Sequence, residues 1–206
     1  MQENNLLSAL LSDAVSEFSK LPSIGSKTAL RLVLHLLKQP EESILAFSQS
    51  LIKLKENVRF CKICNNISDS DICPICQQNS RNQNNICVVE GIKDVISIEQ
   101  TGQYNGLYHV LGGIISPMDG IGPNNLSIDL LENRVKNLNN GEIIFALPAT
   151  MEGDTTCFFI HKKIKNENIK FSTLARGISI GDDLEYADEL TLGRSIINRV
   201  DFTINS

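Results

Sequence analysis

Four of the six cysteines stand as two Cys-x-x-Cys pairs, Cys61-Lys-Ile-Cys64 and Cys73-Pro-Ile-Cys76, with eight residues between them. Each pair makes a tight knuckle that aims two thiolates at one point. Two knuckles supply four soft ligands in tetrahedral geometry, the set that structural Zn²⁺ takes. The intervening NNISDSDI is short and polar and builds no core of its own. Metal-binding free energy therefore becomes folding free energy for this segment. Two disulfides are the competing arrangement, but nothing in the chain suggests export, and thiols stay reduced in the cytosol. A redox Cys-x-x-Cys usually comes singly after a strand. We expect about one structural Zn²⁺ per chain, held by Cys61, Cys64, Cys73 and Cys76. A four-thiolate site is coordinatively closed, so it builds structure rather than doing catalysis. Cys87, in an apolar run, and Cys157, beside Phe158-Phe159-Ile160, read as buried small hydrophobes.

A second kind of chemistry lies upstream. Residues 18–40 hold Lys20, Lys27, Arg31 and Lys38 and no acid. Lys27 and Arg31 are four apart, so on a helix they share a face. Just before them, Leu21-Pro22-Ser23-Ile24-Gly25 is turn-forming. Pro22 stops a preceding helix, Gly25 allows a tight turn, and Ser26 can cap the next helix. This arrangement resembles a helix-hairpin-helix motif. Backbone N–H groups at the second helix's start would face a phosphate, with the dipole favouring the anion. Such contacts hold the nucleic-acid backbone without reading sequence. An ordinary helical turn with a solvated basic face is the alternative. The motif usually has Gly where this chain has Ser23, and Ser is strained there if φ is positive.

The third kind is carboxylate chemistry. Glu90 ends an apolar run with Asp94 one turn on, and Glu152-Gly153-Asp154 follows a later apolar run after a short loop. Carboxylates at strand ends could hold Mg²⁺ through oxygen. Solvated loop caps and a protein-contact surface are the alternatives. The pattern looks like a Toprim domain. Catalytic Toprim enzymes carry Asp-x-Asp where this chain has Glu-x-Asp, and Tyr104, Tyr108 and Tyr186 have no obvious nucleophile setting.

These residues need scaffolds. Leu7, Leu10, Leu11, Ala14 and Phe18 recur at helical spacing over 6–19, and Ala29, Leu30, Val33, Leu34 and Leu37 over 26–38. Pro40-Glu41-Glu42 opens a third helix reaching about Val58. From Ile86 the texture changes. Strands are expected at 86–89, 107–111, 143–147 and 170–174, alternating with helices at 91–101, 124–139, 154–166 and 188–199, with Asn140-Gly141 as a C-cap. Alternation of this kind predicts a mostly parallel α/β sheet. Residues 112–123, rich in Gly and Pro, read as a long ordered loop with no P-loop signature. His109 reads as a core or flanking histidine; His35 and His161 receive no role.

The chain has 206 residues, 42% hydrophobic and 21% charged, with net charge −5. That apolar share supports packed cores and excludes wholesale disorder. No run approaches the ~20 apolar residues of a bilayer span. The start, MQENNLL, lacks the basic segment of a signal peptide, so a cytoplasmic protein is expected. Net −5 argues against a uniformly basic nucleic-acid binder. It is an average, however, of net +1 over residues 1–60, zero over 61–85 and −6 over 86–206. Screening limits distant acids to a reach of ~8 Å, so a local basic window still binds phosphate.

Taken together, LPSIGSKTALRLVLHLL, the CKIC and CPIC knuckles, ICVVE, GQYNGLYHVLGGIISPMDGIGP, TMEGDTT and LARGISIGDDLEYADELTLGRSI resemble the RecR family of bacterial recombination mediators over nearly the whole chain. The resemblance implies an α/β multi-module protomer. Its parts would be a helical helix-hairpin-helix region (1–56), a four-cysteine zinc finger (57–80), a Toprim domain (81–177) and a C-terminal helical assembly segment (178–206). It implies DNA binding through Lys27 and Arg31, zinc at the four cysteines, and partner contact at Glu90, Asp94, Glu152 and Asp154. It implies a dimer or tetramer ring that encircles DNA and acts with RecO and RecF to load RecA on single-stranded DNA. No catalysis and no membrane contact are expected, and Mg²⁺ binding is left open without being expected to be required. Pro148-Ala149 stand before Thr150 where the family has a Thr-Asn-Pro run. A Mg²⁺-dependent Toprim nuclease or topoisomerase, and a zinc adaptor without DNA contact, are the alternative functions.

Overall fold

The computed structural model describes residues 8–136, 138, 140–179, 181 and 183–200. The inward placement expected for Leu7 and the reading of MQENNLL lie outside them, as do Asn137 and Asn139 at the end of the 124–139 pattern. The chain forms two compact units, residues 1–58 and 59–206.

The first unit is helical. Helix α1 spans Ala9–Ser19, α2 Ser26–Leu37 and α3 Glu41–Asn57. Pro40 is the N-cap of α3, and Glu41 and Glu42 in its first turn oppose the dipole as expected. Helices α1 and α2 pack on each other. The expected inward faces are only partly covered. Ala29 and Val33, one turn apart, are buried, whereas Leu10, Leu34 and Leu37 are exposed. A lone helical hairpin is too thin to enclose two full apolar stripes.

In the second unit, β1 (Arg59–Phe60) and β2 (Ile67–Ser68) form a small antiparallel ribbon, followed by the one-turn helix α4 (Pro74–Gln77). Then come β3 (Asn82–Val89), α5 (Ile92–Gln100), β4 (Gly106–Val110), α6 (Ile128–Val135), β5 (Gly141–Ala146), α7 (Met151–Lys163), β6 (Ile169–Thr173) and α8 (Glu189–Ile197). Strands β4-β3-β5-β6 form one sheet in that order, and all its pairings are parallel. Alternation on β3 builds two cores. Ile86 and Val88 pack with Leu131 and Val135 of α6 and Ile160 of α7. Cys87 and Val89 pack with Val95 of α5, Tyr108 and Val110.

Boundaries move where turn chemistry outweighs periodicity. The 124–139 pattern becomes a 3-10 turn at Pro123–Asn125 and a shorter α6 ending at Val135. Asn140 (φ 58°) therefore turns the chain into β5 rather than capping that helix. Helix α7 begins three residues earlier than expected, because the Thr150 hydroxyl accepts the Gly153 N–H. The 112–123 loop is ordered by the Ser116–Ile121 bridge.

The connections leave β3 first toward β4 and then cross to β5, so the topological switch point lies between β3 and β5. Ligands of open α/β sheets sit outside strand carboxyl ends at such a point. Strand β4 is an edge, and its outward carbonyls are covered one by one. Arg81 donates to Gly106 (3.0 Å), Arg134 to Tyr108 (2.6 Å) and the Asn65 amide to Val110 (2.9 Å). Covered edges resist pairing with another chain.

Candidate metal centre and nucleic-acid interface

The sulfurs of Cys61, Cys64, Cys73 and Cys76 all lie within 4.8 Å of one another, and Cys61, Cys64 and Cys73 are buried. The Cys64–Cys73 separation is 3.5 Å. A tetrahedron with Zn–S bonds of ~2.3 Å requires sulfurs ~3.8 Å apart, so the donor set fits zinc with little movement. The backbone N–H of Cys73 donates to Cys61 Sγ at 3.3 Å. The Cys64–Cys73 hydrogen bond pushes the Cys64 thiol up and draws the Cys73 thiol down to about 2. One negative charge in this cluster resists the next; a divalent cation lets all four ionise. The module docks on the sheet edge: the Val110 N–H donates to the Cys64 carbonyl at 2.8 Å beside the Asn65 bond. Asn65 has φ 58°, a left-handed conformation that Asn tolerates better than most residues.

At the hairpin, α1 ends in stacked turns, with Leu21 N–H on Phe18 O and Ile24 N–H on Leu21 O. Ser23 has φ 65°. The position does require the left-handed region, so Ser carries the strain that Gly would not. Ser26 is not the cap; it is the first helical residue, and Gly25 is the N-cap. Among the described residues no side chain caps this helix, so its first N–H groups remain open to an anion. Lys27, Arg31, His35 and Lys38 line a shallow groove of about 430 Å³ along α2 with Leu30 and Leu34. Lys20 pairs with Glu17 at 2.5 Å and leaves the basic window. Among the described residues, Lys27, Arg31 and Lys38 have no ion-pair partner.

The four acids sit at the carboxyl ends of β3 and β5. Glu90 borders a cleft of about 210 Å³ with Phe60, Asn65 and Gly113. Asp94 Oδ2 accepts the Gly91 N–H at 2.8 Å and caps α5. Glu152 and Asp154 both lie in the first turn of α7, so Glu152, expected just ahead of the helix, falls inside it. Gly153 between them is sterically required, because a Cβ there would lie 2.0 Å from the Pro148 carbonyl oxygen. Asp154 is held by Arg176 at 2.6 Å, which keeps its carboxyl below the ordinary range. Among the described residues, the four thiols are the one group of three or more His, Cys, Asp or Glu side chains close enough to share an ion. The structure does not gather the acids into such a group.

Cys87 is buried and pushed up to about 12; Cys157 is half-buried and pushed up to about 11, both by burial first. His109 is fully buried, its Nε2–H on the Ser127 carbonyl at 2.9 Å. His35 lies on α2 beside Gln39, and His161 meets Phe171 edge-on at 4.7 Å. Sequence reasoning misses Arg176, Arg134, Asn65 and the Arg81–Glu99 pair (2.5 Å). Each is a partner brought from a distance. Only Asn65, directly after a Cys-x-x-Cys, carries a local signal.

Comparison with known proteins covers almost the whole chain. Family models match residues 11–55 (RecR, helix-hairpin-helix), 58–77 (the RecR zinc finger domain of four cysteines), 84–175 (Toprim domain) and 177–200 (RecR, C-terminal). A protein of Bacteroides thetaiotaomicron named recombination protein RecR is 58% identical over 196 residues, 95% of this chain and 96% of the relative. A protein of the same name from Flavobacterium johnsoniae is 58% identical over 195 residues, 95% of each. One from Porphyromonas gingivalis is 56% identical over 196 residues, again 95% of each. With hairpin, zinc knuckles, Toprim sheet and C-terminal segment all matched in order, this chain belongs to the RecR family.

Proposed function

We propose that this protein is a DNA-binding mediator of recombinational repair. It assembles as a dimer or tetramer ring and acts with RecO and RecF to load RecA on single-stranded DNA. The observation that carries the DNA contact is the second helix of the hairpin, where an uncapped N-terminus adjoins Lys27 and Arg31 one turn apart. The relatives' shared name, recombination protein RecR, supports the pathway. Residues 1–56 supply the DNA contact, 57–80 the zinc module, 81–177 the partner face and 178–206 assembly. When bound, zinc supplies a closed structural cross-link. Cys61, Cys64, Cys73 and Cys76 hold it and leave no open position for substrate. No described helix is long and apolar enough to cross a membrane. We place the protein in the cytoplasm, where four reduced thiols persist.

A ring multiplies one modest patch by its number of protomers, so a weak basic stripe suffices. The double variant Lys27→Ala/Arg31→Ala is expected to keep its circular dichroism spectrum and lose DNA affinity. The slope of log K against log salt falls by about 2 for each hairpin engaged. Unchanged affinity at low salt would remove the hairpin from the interface.

The Toprim acids serve a protein partner in this reading. Asp94 and Asp154 already hold a helix cap and Arg176, which supports contact over Mg²⁺ catalysis. Glu152 is exposed at the start of α7. Glu152→Lys is expected to weaken partner capture and leave DNA binding intact. Mg²⁺-dependent nicking of plasmid that vanishes in Glu90→Gln would replace this reading with an enzymatic one.

A further inference from the structure

A zinc ion with four thiolates carries net charge −2, and three of these four cysteines are buried. Buried charge is costly unless it is compensated. Among the described residues, the module offers no free cation of its own. Arg59 and Lys62 are exposed and both turn to Asp71, at 3.5 and 2.5 Å. Arg81, just beyond, is spent on Glu99.

The next cation arrives from far along the chain. Arg134 leaves α6 and reaches the free edge of β4, where Nη1 donates to the Tyr108 carbonyl at 2.6 Å. The following outward position on that edge is Val110, whose N–H and carbonyl are taken by Cys64 and Asn65 of the zinc knuckle. Successive outward groups on a strand are ~7 Å apart, so the guanidinium stands one strand step from the knuckle. Helix α4, which carries Cys76, packs on that same strand. Nη2 of Arg134 is buried and has no hydrogen-bond acceptor among the described residues. A buried guanidinium nitrogen without an acceptor is unusual, and a charged group beside it is one arrangement that accounts for it.

We propose that Arg134 is the counter-charge of the zinc centre, bridging the edge of the Toprim sheet to the thiolates. It is a positioning residue. One arm holds the strand edge, and the other faces the negative charge that appears when zinc binds and the thiols ionise. The metal module and the sheet are thereby coupled electrostatically as well as through backbone bonds. Groups placed around a metal's own ligands commonly alter affinity 10–100-fold.

The test uses the full-length, zinc-loaded protein and two variants, Arg134→Lys and Arg134→Gln. Zinc transfer to a chromogenic chelator at pH 7 is timed, and cobalt is substituted to read the sulfur-to-metal charge-transfer band. Arg134→Gln is expected to release zinc about 10–100-fold faster and to shift the band, while Arg134→Lys stays near the parent. A role confined to the Tyr108 carbonyl predicts a different outcome. Both variants would lower the unfolding midpoint of metal-free and metal-loaded protein alike, with release rate and band unchanged. That result, or equal release from Arg134→Gln and Arg134→Lys, overturns the proposal.

Discussion

The two units of this chain solve burial differently. In the described part of residues 1–58, Ala29 and Val33 alone are buried, while Leu37, Leu45, Leu51, Ile52 and Leu54 are exposed. In residues 59–206, β3 is covered on both faces and the cysteine cluster closes a third small core. The second unit draws stability from its own interior and from metal. The first carries apolar area beyond what its own packing uses, and exposed patches of this kind mark interaction surfaces. The contrast separates a unit with packed cores of its own from a helical unit whose apolar faces stay largely exposed, and a second copy of this chain is the occupant that the assembly proposed above would place there.

The strongest way to break that contrast is to remove the metal. Chelation, or Cys64→Ser, is expected to unfold residues 57–80 and leave the signature of α1–α3 intact up to that segment. The loss is on the order of 10 kcal/mol, the scale of structural zinc binding. Hydrogen exchange resolves the two units; loss of helical signal in step with zinc would show that the first unit also depends on it.

A smaller effect separates the units by pH. Burial pushes His109 from 6.5 down to about 4, so the folded state resists the proton that the unfolded chain accepts. Its contribution is complete above pH 6.5 and is lost as pH falls toward 4, by about 3 kcal/mol in all. Urea titrations at pH 7 and pH 5 should show this slope, and His109→Gln should flatten it. An unaltered slope in the variant would assign the acid sensitivity to other groups.

Next comes the apolar face of the helical unit. Leu37→Glu/Leu51→Glu should abolish any dependence of its melting temperature on protein concentration, without lowering stability at the dilute limit. A monomer by light scattering whose melting is unaffected by either change would end the partner-completed reading.

The smallest effect is Ser23→Gly. The left-handed conformation at φ 65° favours Gly, and the looser unfolded chain partly offsets the gain. A stabilisation of about 0.5–1 kcal/mol in the hairpin is expected, together with equal or tighter DNA binding. A destabilised variant would mean that the Ser23 side chain makes a contact of its own.

Much of the molecule is legible in residue order because the signals are local. Cys-x-x-Cys spacing determines knuckles whatever surrounds them, and the four sulfurs converge as expected. The run Ile86-Cys87-Val88-Val89 marks a strand buried on both faces, and it is central in the sheet. The strain at Ser23 is also a local matter, since a tight turn limits φ there. What stays hidden depends on contacts far apart in sequence or on the folded backbone. Residue order alone starts the helix at Asp154 and leaves Glu152 ahead of it, because nothing in the run shows that Thr150 caps Gly153. It makes Ser26 a cap, because capping propensity is blind to which residue first adopts helical angles. Convergence of the acids on Mg²⁺ follows from strand ends alone, and the partners that hold two of them, the Gly91 N–H and Arg176, emerge only when the chain is folded.

The sequence by itself determined the modules, their order, the convergence of four cysteines and the separation of a basic hairpin from an acidic sheet. These follow from short-range geometry and from charge, which do not wait on packing. Only the tertiary structure decided which side chains share a surface. Arg134 reaches Tyr108 across 26 positions, Asn65 reaches Val110 across 45, and Arg176 reaches Asp154 across 22. The physical reason is that a parallel sheet aligns strands whose connections run through whole helices, so the neighbours along its edges are chosen by topology and not by spacing.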